Sequence, residues 1–221
     1  MPKSQTAKIA LQLSLSEREV QATIDLLDSG ASLPFIARYR KEATGNLDEV
    51  EIAKIRDLLL RLRQLEERRE AILHSLSKRN LLTDDLREKL LAADTLTRLE
   101  DIYLPFRPKR KTRATAAKER GMEPLAKKIF AQDHGDLDPE KEALAYVDVE
   151  KGVASAKEAL AGARDIIAEW MSEDAEARSR MRDLYQSQGV LRSVAASCKE
   201  ADDSKFRDYL DWSEPVTRAS P

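Results

Sequence analysis

Apolar residues recur at intervals of three and four along most of this chain, which is the spacing of one face of an α-helix. The longest stripe predicts a helix over about residues 47–79, with Asn46 as its N-cap and Glu49 completing the cap. Such a helix would be about 50 Å long, so we expect it to span two packed blocks or to bend. A dimeric coiled coil is the alternative, although Arg69 interrupts the stripe. The stripe consists of Ile55, Leu58, Leu62, Leu65, Ile72 and Leu76.

Shorter helices are predicted on both sides of the long one. Ser16 and Glu19 have the spacing of a capping box, and Ser172 is a candidate N-cap for a later helix. Two helices over residues 83–92 and 95–104 have the outline of a helix-turn-helix. Further helices are predicted near 7–13, 32–41, 114–120, 122–132, from Pro139 and from Ser155.

Residues 190–196 are the one segment with a strand-like composition, and no partner strand is evident in the sequence. We therefore predict an all-α fold, with helical bundles of helix-turn-helix character bridged by the long helix. A short β segment near residues 190–196 is possible within this class.

A basic, non-helical connector between the predicted helices is the main candidate for function. Pro105 and Pro108 hold the backbone extended. Its cations could contact the phosphates of a nucleic acid, or they could pair with carboxylates of the acidic part of the chain. Residues 1–130 carry 26 basic and 20 acidic side chains, whereas residues 131–221 carry 12 and 20. The cations of this basic connector are Arg107, Lys109, Arg110, Lys111 and Arg113.

A second basic group contains Arg38, Arg40 and Lys41. Tyr39 among them could stack on a base, which would make the group part of a nucleic-acid site. Because Phe35 and Tyr39 are four residues apart on a helix, the interpretation we favour is that their rings form one buried stripe.

The sequence offers no site for catalysis, a metal or a cofactor, and we expect none. Every glycine is isolated, which excludes a glycine-rich phosphate loop. The turn around His134 is rich in aspartate. Counted from residue 133, however, the EF-hand positions for glycine and glutamate hold Asp138 and Leu144. A single cysteine, Cys198, and the absence of a long apolar run predict a cytoplasmic protein without a membrane span.

Three stretches resemble the Tex family of bacterial transcription accessory proteins. They are LPFIARYRKEATG at residues 33–45, LEDIYLPFRPKR at 99–110 and GARDIIAE at 162–169. The stretch KFRDYLDWSEP at 205–215 is similar to the family's segment before a ribonuclease-H-like domain. The resemblance implies a helical N-terminal region with helix-turn-helix character. In the family this region is followed by that domain, by helix-hairpin-helix elements and by an oligonucleotide-binding barrel.

From the resemblance we expect an N-terminal architectural region of a transcription accessory factor. We predict helical domains at residues 1–132 and 133–189, then a connector at 190–221 toward the ribonuclease-H-like domain. The expected partners are RNA or DNA, the transcription machinery and the remaining domains of the full-length protein. Since the family binds nucleic acid largely through its barrel, we expect weak, sequence-independent contact here. A protein-interaction scaffold without nucleic-acid binding is the alternative.

Overall fold

The computed structural model describes residues 5–132, 138–194 and 207–219. The chain divides into two compact units, Met1–Leu99 and Glu100–Pro221. One hydrophobic cluster of the second unit joins helices from both sides of residue 132. The predicted domain boundaries at 132 and 189 stay predictions.

The described residues are mostly helical, which confirms the all-α class. The helices of the first unit are α1 Gln5–Leu13, α2 Glu17–Asp28, α3 Leu33–Tyr39, α4 Lys41–Thr44, α5 Glu49–Lys78 and α6 Asp84–Ala92. Helix α7, Leu96–Tyr103, crosses the division between the units and continues as a 3-10 turn, Leu104–Phe106. The second unit contains α8 Arg113–Glu119, α9 Glu123–Ala131, α10 Pro139–Leu144, α11 Ala156–Glu173, α12 Ala175–Gln188, β1 Val190–Val194 and β2 Asp211–Pro215, with a 3-10 turn at Arg207–Tyr209.

The long helix α5 packs against two groups of helices within the first unit. Its N-terminal half contributes Ile52, Ile55 and Leu59 to a core shared with α1, α2 and α3. Its C-terminal half buries Ile72 and Leu76 and contacts α6. The helix therefore spans two packed blocks, as its length predicts. The stripe that a coiled coil would need is largely occupied within the same chain.

Arg69 explains the polar interruption of the stripe on α5. Its side chain is only about 5% exposed. The Nε atom donates to the carbonyl oxygen of Leu90 at 3.1 Å, and Nη2 donates to that of Ala93 at 2.7 Å. These carbonyls lie at the C-terminal end of α6, where a helix has no intrahelical donors for them. Arg69 thus fastens α6 to α5.

The second unit is built around α11, which packs against α8, α9 and α10. Its buried face consists of Ala159, Ala163 and Ile166. Gly162 lies on the side of α8, where an added Cβ would stand 3.2 Å from the Cβ of Ala117. Small residues therefore allow the close approach of these two helices, and this approach positions the start of α8 beside α11.

The strand predicted near residues 190–196 is present as β1, with its last two residues outside the described part of the chain. The expectation that it lacks a partner was wrong. It pairs antiparallel with β2, in a register that places Val190 opposite Pro215 and Val194 opposite Asp211. Strand β2 was not predicted because its sequence, DWSEP, contains few β-forming residues.

Two predicted N-caps are displaced by two residues, and backbone geometry explains one of them. Helix α5 is capped by Asp48, in a capping box with Glu51. Asn46 has a φ of +66°, whereas an N-cap requires an extended backbone. Helix α12 is capped by Asp174, because Ser172 still belongs to α11. The predicted capping box of Ser16 with Glu19 is confirmed.

Candidate nucleic-acid interface

The basic connector follows the 3-10 turn at Leu104–Phe106 and has no helix or strand structure before Arg113 begins α8. Thr112 caps that helix, and its Oγ1 accepts a hydrogen bond from the backbone N–H of Thr115 at 3.0 Å. The same hydroxyl lies 3.0 Å from Oε1 of Glu169 on α11, to which it donates. The connector is therefore attached to the second unit at its C-terminal end.

Lys109 is anchored by two carboxylates near the end of α11. Its Nζ forms an ion pair with Glu173 and lies 3.6 Å from Oε2 of Glu169. Lys118 donates to the same Glu169 oxygen at 2.8 Å. For this lysine the structure has the internal pairing that was one of the two interpretations of the connector.

Glu169 is the buried centre of this group, with about 11% of its side chain exposed. Burial alone would raise the pKa of Glu169. The hydrogen bonds from Lys118 and Thr112 and the positive charge of Lys109 outweigh that effect and hold its pKa below the ordinary value of 4.5. The carboxylate is thus ionised at neutral pH and holds the connector in place.

The other cations of the connector differ in their surroundings. Lys111 is exposed and pairs with Glu119 at 2.7 Å. Arg107, Arg110 and Arg113 are exposed and form no ion pair with any residue in the described ranges. The connector thus combines two paired lysines with three arginines whose guanidinium groups face solvent. Arginine suits phosphate because its planar donors bind two oxygens at once.

The second basic group lies on the first unit, at α3 and the start of α4. Contrary to the buried stripe that we favoured, Phe35 and Tyr39 are 41% and 71% exposed. Ile36 is the residue of α3 that enters the core, and it turns the flanking rings outward. We call Phe35, Arg38, Tyr39, Arg40 and Lys41 the aromatic–basic patch.

The helix-turn-helix outline remains a prediction. Helices α6 and α7 are separated by three residues, as the sequence indicates. However, Asp101 on α7 is about 3% exposed and is bound by Arg178 and Arg182 of α12. That face of α7 is occupied within the second unit.

Other candidate chemistry finds no support in the described part of the chain. No group of three or more metal-ligating side chains occurs there. His134 and Cys198 lie outside the described residues. Among the described helices, none combines the length and the apolar character needed to cross a membrane.

The fold and this surface define a class of protein: a mostly α-helical region that exposes a basic connector between packed helices. Two family models match the chain. The Tex-like protein N-terminal domain matches residues 3–77, and the Tex central region-like model matches residues 134–220. Together they cover most of the sequence. The chain belongs to the Tex family.

Curated relatives match nearly the whole chain. A protein of Neisseria gonorrhoeae named transcriptional accessory protein Tex is 43% identical over 98% of this chain, and the Escherichia coli protein YhgF is 45% identical over 95%. The human S1 RNA-binding domain-containing protein 1 is 27% identical over 86% of it. The chain covers 28%, 27% and 19% of these relatives respectively, so it spans less than a third of their length.

Proposed function

We propose that this chain is an architectural region of a transcription accessory factor and that its basic connector makes an accessory, sequence-independent contact with nucleic-acid phosphates. The name of the gonococcal relative supports the transcription role. The name of the human relative, which mentions RNA binding, supports a nucleic-acid partner. The proposal places the protein in the cytoplasm and includes no enzymatic reaction. Its further partners are the transcription machinery and the remaining domains of the full-length protein.

The observation that carries the proposal is that the connector contains both anchored and unpaired cations among the described residues. Lys109 is held by carboxylates of α11, whereas Arg107, Arg110 and Arg113 have no acidic partner in the described ranges. An anchored, non-helical segment presents these exposed arginines without a large loss of conformational entropy on binding. The contact would be governed by counterion release, so its affinity would fall steeply with salt.

A salt series of fluorescence anisotropy, with labelled single- and double-stranded DNA and RNA, tests the proposal. The variant R107Q/R110Q/R113Q should bind more weakly at low salt. Its slope of log affinity against log salt should be smaller by about 2 to 3 units. A matched control is R120Q/K157Q/R164Q, which removes the same charge from exposed residues of the second unit. This control should retain the wild-type slope.

Superimposable curves for the wild type and the arginine variant would refute the phosphate contact. The connector would then be a structural joint. For the connector, this outcome would favour the scaffold alternative, in agreement with the pairing of Lys109 to α11.

A further inference from the structure

The aromatic–basic patch exposes two neighbouring aromatic side chains, Tyr39 to 71% and Phe35 to 41%. Helix α3 contributes Ile36 to the core of the first unit, whereas Phe35 and Tyr39 point away from it. Single exposed apolar side chains are common on protein surfaces, whereas adjacent large ones form a patch that is informative. Two adjacent exposed rings therefore indicate a binding surface.

The rings are already arranged as a stacking platform. Their centroids lie 5.5 Å apart, with an angle of 41° between the ring planes. The guanidinium carbon of Arg40 lies 5.7 Å from the centroid of Phe35, within the range of a cation–π contact. The three side chains thus lie next to one another, and the tilt between the ring planes leaves each ring able to stack on a separate planar base.

The charge around the rings selects an anionic ligand. Arg38, Arg40 and Lys41 are exposed and form no ion pair with any described residue. Residues 33–45 contain one acidic side chain, Glu42, which has no ion pair with these cations either. Aromatic faces bordered by cations that have no ion pair among the described residues match a chain of planar bases joined by phosphates.

We propose that the aromatic–basic patch binds single-stranded nucleic acid, with bases stacked on Tyr39 and Phe35 and phosphates contacted by Arg38, Arg40 and Lys41. A duplex hides its base faces within the helix, so only unpaired bases can use the rings. The inference rests on the nucleic-acid role proposed above, to which it adds the strand class. It uses different residues and different chemistry.

The test compares two double variants of the 221-residue chain by anisotropy, with single-stranded and duplex oligonucleotides of equal length. F35L/Y39L keeps apolar side chains but removes both rings. F35Y/Y39F keeps both rings and is the matched control. Stacking loss should weaken single-strand binding about 10-fold or more in F35L/Y39L and leave duplex binding at the wild-type value. F35Y/Y39F should bind both ligands as the wild type does.

The salt dependence separates stacking from phosphate contact. F35L/Y39L should retain the wild-type slope, because stacking releases no counterions, whereas R38Q/R40Q/K41Q should lose about 2 units of slope. Far-UV circular dichroism and thermal melting would show that the variants fold.

Two results would overturn the patch as a stacking surface. In the first, F35L/Y39L binds the single strand with wild-type affinity. In the second, F35L/Y39L loses as much affinity for the duplex as for the single strand. If R107Q/R110Q/R113Q still lost slope in either case, the connector proposal would stand. If R107Q/R110Q/R113Q kept the wild-type slope while F35L/Y39L lost single-strand affinity, the connector proposal would be refuted and the patch proposal would stand. A wild-type chain that bound neither ligand at low salt would refute both.

Discussion

The Nε atom of Arg178 donates to Oδ1 of Asp101 at 2.7 Å, and this bond joins the last turns of α7 to α12 across 77 residues of sequence. Arg182 binds the second carboxylate oxygen. Burial alone would raise the pKa of Asp101, but the hydrogen bonds and charges of Arg182 and Arg178 outweigh it and hold the pKa below 3.8. The carboxylate fastens the residues just before the basic connector to the second unit.

Removing both arginines should destabilise the second unit strongly. R178L/R182L leaves the carboxylate of Asp101 buried and unpaired, which should cost about 3–5 kcal/mol of unfolding free energy. D101N should cost less, about 1–3 kcal/mol, because the two arginines are partly exposed and can be solvated. Urea unfolding followed by circular dichroism measures both values. Similar stabilities for R178L/R182L and the wild type would show that the contact contributes little.

The free energy of unfolding should decrease as the pH is lowered through the acid range. Asp101 and Glu169 have pKa values below their ordinary values of 3.8 and 4.5 in the folded protein. The unfolded state therefore binds more protons in that range, so this stability is complete above about pH 5 and is lost as the pH falls through the lowered pKa values. Urea unfolding at a series of pH values from neutral to acid measures the effect.

The double variant D101N/E169Q is the control for the pH dependence. Without the two carboxylates, it should be less stable at neutral pH and should show a shallower decline toward acid. An unchanged acid slope would assign the decline to other carboxylates.

Replacing Arg69 should release α6 from α5. R69M leaves the carbonyl groups of Leu90 and Ala93 without their donors, which should cost about 2–3 kcal/mol of unfolding free energy. R61M is the matched control, because it makes the same exchange at an exposed position of the same helix. Chemical denaturation gives the two values. Equal unfolding free energies for R69M and R61M would mean that water replaces the guanidinium without loss of stability.

Gly45 should tolerate alanine less well than Gly30. Both have positive φ angles, +70° and +86°, which cost an alanine about 1–2 kcal/mol. An added Cβ at Gly45 would also lie 2.7 Å from Cγ of Glu19, the residue that closes the capping box of α2, whereas the space at Gly30 is open. G45A should therefore be less stable than G30A by roughly 1 kcal/mol, the usual contribution of a cap. Thermal melting of the two variants side by side decides this.

Much of the helical layout could be predicted from residues close together in sequence. The capping box of Ser16 with Glu19 and the Asp138–Pro139 start of α10 depend on groups within one helical turn. The prolines of the connector act on their immediate neighbours. The apolar residues whose period predicted α5 are also mostly the ones on its buried face. The caps and the proline conformations are decided by groups within one helical turn, and the apolar period of α5 is a property of its own sequence.

Only the tertiary structure decided which residues of the candidate sites are paired or buried and which are exposed. Sequence alone could not say which cations of the connector meet Glu169, because that carboxylate lies 60 residues from Lys109 in the chain. A spacing of four brings Phe35 beside Tyr39 but does not say whether the pair faces a core or solvent. Burial, ion pairing and the pairing of β1 with β2 depend on which distant segments fill the space around a residue. That space is defined only when the helices have packed.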